Sequence, residues 1–270
     1  MSKQDKAAEV ISWSDHMDAA RLAHEAGQLL LGIREQIGTS LSPEEARHLG
    51  DTRSHQLLAA AIGERYPHDG LLSEEGKDGA QRLSRQRVWI IDPLDGTREF
   101  GEPGRQDWAV HVALALNGQP LAGAVALPAL AKVFSTAEPP QVTRPVPSRL
   151  RLAVSRTRPP ASVEQIAHTL GADLVPMGSA GAKVMAIVRG EADVYLHSGG
   201  QYEWDTAAPV AVAKSAGLHA SRIDGSALLY NRPDPWLPDV LICLPDAAGA
   251  VLAAVAEVAE GPASQDPRTG

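Results

Sequence analysis

The apolar run Val88-Trp-Ile-Ile91 stops abruptly at Asp92-Pro-Leu-Asp95-Gly-Thr97. A short run without polar alternation predicts a strand covered on both faces, and such a strand needs one layer of structure above it and another below. The chain is long enough to supply both: it has 270 residues, of which 44% are hydrophobic and 21% charged. Aromatic residues make up only 4%, so the core is expected to be built from Ala, Val, Leu and Ile.

The flanking segments read as the missing layers. Leu22, Ala26, Leu29, Leu30, Ile33 and Ile37 share one face of a long amphipathic helix ended by Gly38. Residues 39–50 are polar and interrupted by Pro43, which predicts a loop or a short turn. A second helix is expected over 51–66, then a turn over 67–70 and a short strand over 71–73 that ends in Glu74-Glu75. Strands over 107–116 and 121–127 flank Asn117-Gly118 and predict a hairpin. Residues 137–150 contain Pro139, Pro140, Pro145 and Pro147 and read as a linker. Beyond it, strands over 151–155, 174–175, 192–197 and 240–244 alternate with helices over 162–170, around 180–188, over 205–216 and over 247–259. The expected organisation is an α+β half over 1–136, the linker, an α/β half over 151–262, and a disordered tail over 263–270.

The net charge of −8 argues against a nucleic-acid polymer or an anionic membrane as the main partner. It is compatible with a small phosphorylated substrate if bound cations reverse the local sign. Cys243 is the single cysteine and lies in an apolar run, so the expectation is a buried thiol and no intrachain disulfide. Residues 1–16 lack the apolar stretch of a secretion signal, and no run has the length of a membrane span, so the expected compartment is the cytoplasm.

The chemistry concentrates where the central strand ends. Asp92 and Asp95 flank Pro93, which restricts the backbone so that both acids can face one cleft. Gly96 permits a tight turn, and Thr97 can open a helix whose free N–H groups suit a phosphate. Carboxylates beside a phosphate repel it unless metal ions stand between, and oxygen ligands on a phosphate point to Mg²⁺. Read singly, each element has an ordinary alternative. Asp92-Pro-Leu-Asp-Gly is also a turn composition, Glu74-Glu75 a solvated pair, and Asp205 in Glu203-Trp-Asp205 a helix cap. Their joint presence favours a metal site.

Leu72-Ser-Glu-Glu75, Trp89-Ile-Ile-Asp-Pro-Leu-Asp-Gly-Thr97 and Trp204-Asp-Thr-Ala-Ala208 resemble, in order and spacing, the motifs of the inositol monophosphatase superfamily, from about residue 15 to 260. Arg98-Glu-Phe100, Val154-Ser-Arg156, Gly178-Ser-Ala-Gly-Ala-Lys183 and Leu229-Tyr-Asn231 are similar to its CysQ-type branch, the 3′(2′),5′-bisphosphate nucleotidases. The resemblance implies a layered αβαβα sandwich, Li⁺-sensitive phosphomonoester hydrolysis with about two or three Mg²⁺ ions, a nucleotide substrate such as 3′-phosphoadenosine 5′-phosphate, a link to sulfate assimilation, and a homodimer. The alternatives within the same chemistry are inositol monophosphate or fructose 1,6-bisphosphate as substrate. The alternative outside it is a non-catalytic nucleotide binder.

Carried over position by position, the resemblance assigns Glu74, Asp92 and the Leu94 carbonyl to a first cation and Asp92, Asp95 and Asp205 to a second. Glu75 holds a third through water. Thr97 and Asp51 activate the attacking water, although only Gly50-Asp51 remains of the family's usual segment and Asp51 could equally cap the helix it is expected to precede. Contacts to substrate fall to Glu74, Asp95, Gly96, Thr97 and Asp205, joined by Ser155, Arg156, Ser179 and Lys183. Lys183 is the candidate for a second phosphate, its alternative being a solvent-facing lysine. Tyr202 or Trp204 could pack on the base, with Trp204 otherwise core, and His197 could reach the cleft. Pro209 is expected in the first helical turn. Residues 99–108 read as a mobile lid whose Arg105, with the neighbouring Arg98, attracts anions.

Overall fold

The computed structural model describes residues 10–76, 79–157 and 159–260. The expected tail over 263–270 therefore lies outside the described residues. Two helices come first, α1 (Trp13–Arg34) and α2 (Pro43–Arg65). The first sheet has the order β1-β2-β3-β4-β5, from Gly70–Ser73, Arg87–Asp95, Ala109–Leu116, Gln119–Leu127 and Lys132–Ser135. β1 runs parallel to β2, and the remaining pairs are antiparallel. A one-turn helix, α3 (Thr97–Gly101), follows β2 directly.

The later part contributes β6 (Arg151–Ser155), α4 (Ala161–Thr169), β7 (Asp173–Met177), α5 (Ala180–Val188) and β8 (Val194–His197). After these come β9 (Gln201–Tyr202), α6 (Glu203–Ser215), β10 (His219–Ser221), β11 (Trp236–Leu237), β12 (Val240–Cys243) and α7 (Ala248–Glu260). The second sheet has the order β10-β12-β8-β6-β7, and β9 pairs with β11 as a separate ribbon. α1 and α2 cover the outer face of the first sheet, α5 and α6 lie between the sheets, and α4 packs with α7 beyond the second sheet. This is the layered α/β arrangement expected of the sequence.

The central strand behaves as its composition predicts. Trp89 and Ile91 enter the core shared with α1 and α2, whereas Val88 and Ile90 enter the core that continues into the second sheet. Alternation is present but hidden, because both faces are apolar. The inner face of β3 is lined by Ala109, Ala113 and Ala115, small enough for α6 to lie close with Ala207 and Ala208. Cys243 is buried and its thiol is pushed up to about 12 by that burial, as befits a packing residue.

Several expectations are corrected. Residues 43–50 are helical, because Ser42 accepts from the Glu45 N–H at 3.2 Å, Glu45 accepts from the Ser42 N–H at 2.8 Å, and Pro43 occupies the first helical position. Pro43 opens this helix and breaks nothing. Asp51 consequently lies inside α2 and caps no helix. Pro209 falls in the second turn of α6, since that helix opens at Glu203, and its missing N–H leaves the Asp205 carbonyl without its usual partner. The segment read as a lid is tied down: Arg34 donates to the carbonyls of Glu102 at 2.8 Å and Arg105 at 2.7 Å, and Arg105 itself pairs with Asp107. The short strands β5, β9, β10 and β11 were not anticipated.

Candidate active site

β2 carries an irregularity that sets the site. Asp92 pairs with His111, yet Asp95 pairs with Ala109, so one extra residue is accommodated between the two acids. In a regular strand residues three apart point to opposite faces; this bulge turns Asp95 back toward the side of Asp92. Gly96 then takes φ +84°, a left-handed turn that lets Thr97 begin α3 at once.

α2 lies directly against this corner. A Cβ on Gly50 would stand 3.1 Å from both Leu30 and Leu94, and the Ser54 hydroxyl donates to the Pro93 carbonyl at 2.7 Å. That close approach brings Asp51 to face Thr97. The Thr97 hydroxyl donates to the Leu94 carbonyl at 3.0 Å, which leaves its lone pairs free to accept. β1 ends alongside, presenting Glu74 and Glu75, and α6 brings Asp205 from the other side of the cleft. The Asp205 carboxylate accepts the Tyr202 N–H at 2.6 Å, so it caps its helix and faces the other acids at the same time.

Like charges gathered away from water disfavour their own ionisation. Asp92, fully buried, is held well above the usual carboxylate range by burial and by Glu74, Asp95 and Asp205. Glu74 is exposed along its side chain at the cleft mouth, yet the protein packed around its carboxyl and the facing Asp205 push it up to about 7. Asp205 rises to about 6 through burial and Asp95. Asp51 rises to about 7 through burial and the nearby Glu75. Asp95 is the exception: burial opposes its ionisation, but His111, Lys183 and Ser179 outweigh it and hold the carboxyl low.

The arrangement fits hard cations. Oxygen donors from two sides of a cleft repel one another as they stand, and a carboxylate oxygen of Asp92 lies within 4.8 Å of one of Asp95. His111 is the residue that sequence reasoning missed. Its signal was visible as the single polar side chain in the apolar strand Ala109–Leu116, but only the register with β2 places it opposite Asp92.

Beside the carboxylates lies a cavity of about 230 Å³ lined by Gly96, Thr97, Ser155, Arg156, Ser179 and Lys183. A larger cavity of about 360 Å³, bordered by residues 104–107 and 175–177, is lined by neither Thr97 nor Lys183. Ser179 donates to Asp95 at 2.5 Å. Lys183 is buried, contrary to the solvent-facing alternative, with Nζ 3.1 Å from the Gly178 carbonyl and 5.4 Å from the Tyr195 ring centroid. Burial pulls its ammonium down, against the opposing pull of Asp95, Asp205, Glu99 and Asp107. Arg156 reaches the cavity but already shares its guanidinium between Glu99 and Glu102, each at 2.8 Å. Trp204 is half-buried and stacks on Tyr202 with centroids 4.6 Å apart, and His197 is bound to the Gly200 carbonyl at 3.1 Å.

Residues 15–260 match the inositol monophosphatase family. The chain belongs to that family. Among curated relatives, it is 50% identical over 241 residues to the 3′-phosphoadenosine 5′-phosphate phosphatase of Mycobacterium tuberculosis, spanning 86% of this chain and 90% of that one. Among solved structures of the family, CysQ from Bacteroides thetaiotaomicron superposes with a TM-score of 0.71 at 26% identity, covering 86% of this chain and 97% of the other. The inositol monophosphatase II of Staphylococcus aureus reaches a TM-score of 0.78 at 20% identity over 94% and 100% of the two chains, a likeness of fold. Among the described residues, no helix is long and apolar enough to cross a membrane.

Proposed function

We propose that this chain hydrolyses 3′-phosphoadenosine 5′-phosphate to AMP and phosphate, with Mg²⁺ held by Glu74, Asp92, Asp95, Asp205 and the Leu94 carbonyl, and Glu75 aiding a further ion through water. The observation that carries this reading is the contact between two unlike surfaces. Next to a cluster of mutually repelling carboxylates, and joined to it by the Ser179–Asp95 hydrogen bond, lies a cavity whose wall holds a buried ammonium, Lys183. Acids with cations suit the phosphate that is cut, and Lys183 suits the phosphate that is kept. Half the residues in common with the mycobacterial enzyme over most of its length support the same substrate.

When bound, Mg²⁺ offsets the charge of the phosphate and the carboxylates and makes a water molecule more acidic. Thr97 orients that water through its hydroxyl oxygen, and Asp51, poised near neutrality, takes up the proton. The backbone at Gly96 and Thr97 faces the same cavity and offers N–H groups to the non-bridging oxygens. Asp95 and Ser179 bound the region next to the reacting phosphate, and Ser155 lines the wall with Lys183. Arg156, neutralised by Glu99 and Glu102, anchors that wall more than it attracts an anion. The family reading extends to a homodimer in the cytoplasm acting alongside sulfate assimilation, where this nucleotide arises.

Inorganic phosphate release tests the proposal. With Mg²⁺, 3′-phosphoadenosine 5′-phosphate should be cut far faster than inositol 1-phosphate or fructose 1,6-bisphosphate, AMP should be left intact, and Li⁺ should inhibit. Comparable rates on all the phosphomonoesters would keep the metal chemistry and remove the nucleotide preference. Tight nucleotide binding without any phosphate release would identify a non-catalytic binder.

A further inference from the structure

His111 has no accessible surface, although it lies in the face of β3 that otherwise carries Ala109 and Ala113. Its Nε2 stands 3.2 Å from Asp95 Oδ2, without the alignment of a hydrogen bond. Its Nδ1 lies 3.1 Å from the carbonyl of Trp204. A carbonyl oxygen only accepts, so Nδ1 carries the hydrogen toward Trp204 while Nε2 is aimed at the Asp95 carboxylate. The room for the ring is itself built in: a Cβ on Gly181 would stand 2.1 Å from Nε2.

Asp95 Oδ2 also receives the Ser179 hydroxyl at 2.5 Å and the Gly181 N–H at 2.8 Å. With that oxygen surrounded by donors, Oδ1 is the one left to face a cation. The other end of the ring holds the residue immediately before Asp205. One imidazole thus joins the Asp95 corner of the first sheet to the opening of α6, the two places from which acids converge on the cleft.

We infer that His111 is a positioning residue that sets the spacing between Asp95 and Asp205 and presents a single Asp95 oxygen to the cation site. This rests on the metal reading proposed above. His111 touches no substrate; it acts through the two carboxylates.

Binding of Mn²⁺ alone, followed by the electron paramagnetic resonance signal of the free ion, tests the inference without turnover. His111→Ala should weaken Mn²⁺ binding about 10- to 100-fold, the effect typical of groups that orient metal ligands. His111→Gln, which keeps a polar side chain of similar reach between Asp95 and Trp204, should recover part of the loss. Gly181→Ala keeps the amide donor to Asp95 but displaces the ring, and should resemble His111→Ala; it also decides the matter if His111→Ala fails to fold by circular dichroism. Wild-type affinity in a folded His111→Ala or in Gly181→Ala would overturn the inference. Equal losses in the folded Ala and Gln variants would do the same, by showing that a polar side chain bridging the two elements is irrelevant. Absence of Mn²⁺ binding by the wild type, or its persistence unchanged in Asp92→Asn, would instead sink the metal reading.

Discussion

Asp51 in α2 faces Thr97 at the start of α3, whose hydroxyl donates to the Leu94 carbonyl at 3.0 Å. A hydroxyl that donates in one direction keeps lone pairs free to accept from a water in another. If the two residues act as one unit, Asp51→Asn and Thr97→Ala should each lower kcat by about 100-fold or more, and the double variant should be no worse than the poorer single. Steady-state kinetics on the four proteins checks this; losses that multiply would mean that they act separately.

The raised carboxyls make a pH prediction with a definite sign. Asp51 and Glu74 stand at about 7 and Asp205 at about 6, all above the unfolded range near pH 4. Between those limits the folded protein holds protons that the unfolded chain has released, so these groups favour the fold at low pH and oppose it increasingly as pH rises toward 7. Cation binding needs the ionised forms. The increase in Tm on adding Mg²⁺ should therefore grow from about pH 5 to about pH 8. Thermal melts in paired buffers measure it, and a shift that is flat or shrinks over this range contradicts the clustered-carboxylate account.

Lys183 makes the substrate claim testable. Lys183→Met keeps most of the side-chain volume while removing the charge that faces Asp95 and Asp205. Loss of a charged hydrogen bond to a second phosphate should raise KM for 3′-phosphoadenosine 5′-phosphate by about tenfold or more and leave inositol 1-phosphate far less affected. Equal effects on both substrates would assign Lys183 to the electrostatics of the carboxylates alone.

Away from the cleft, Arg87 links the start of β2 to α1. Its side chain, 10% exposed, bonds Asp15 at 3.0 and 3.1 Å, Asp69 at 3.1 Å and the Val10 carbonyl at 3.0 Å. Arg87→Met leaves two carboxylates without their cation and should cost about 3–5 kcal/mol, lowering Tm by about 10 °C. Activity in the folded fraction at low temperature should be retained, since the lost contacts are at the opposite end of β2 from Asp95. A shift within error would place this network among the surface ion pairs that contribute little.

The sequence by itself determined the strand that runs through the centre of the molecule, the strand and helix alternation around it, and the short motifs that contain Glu74, Asp92, Asp95, Thr97 and Asp205. These are local signals: apolar runs of strand length, turn residues and spacing along the chain carry them. Pro43 misled because the same ring that breaks a helix inside it also opens one, and only the cap formed by Ser42 and Glu45 distinguishes the two cases. Tertiary structure decided the rest. The register of β2 on β3 turned Asp95 toward Asp92 and brought His111 opposite. Close packing at Gly50 carried Asp51 to Thr97, and the neighbouring Glu99 and Glu102 claimed Arg156. Each of these depends on which residues meet across separate elements, and the pairing of distant segments is a property of packing that no local pattern encodes.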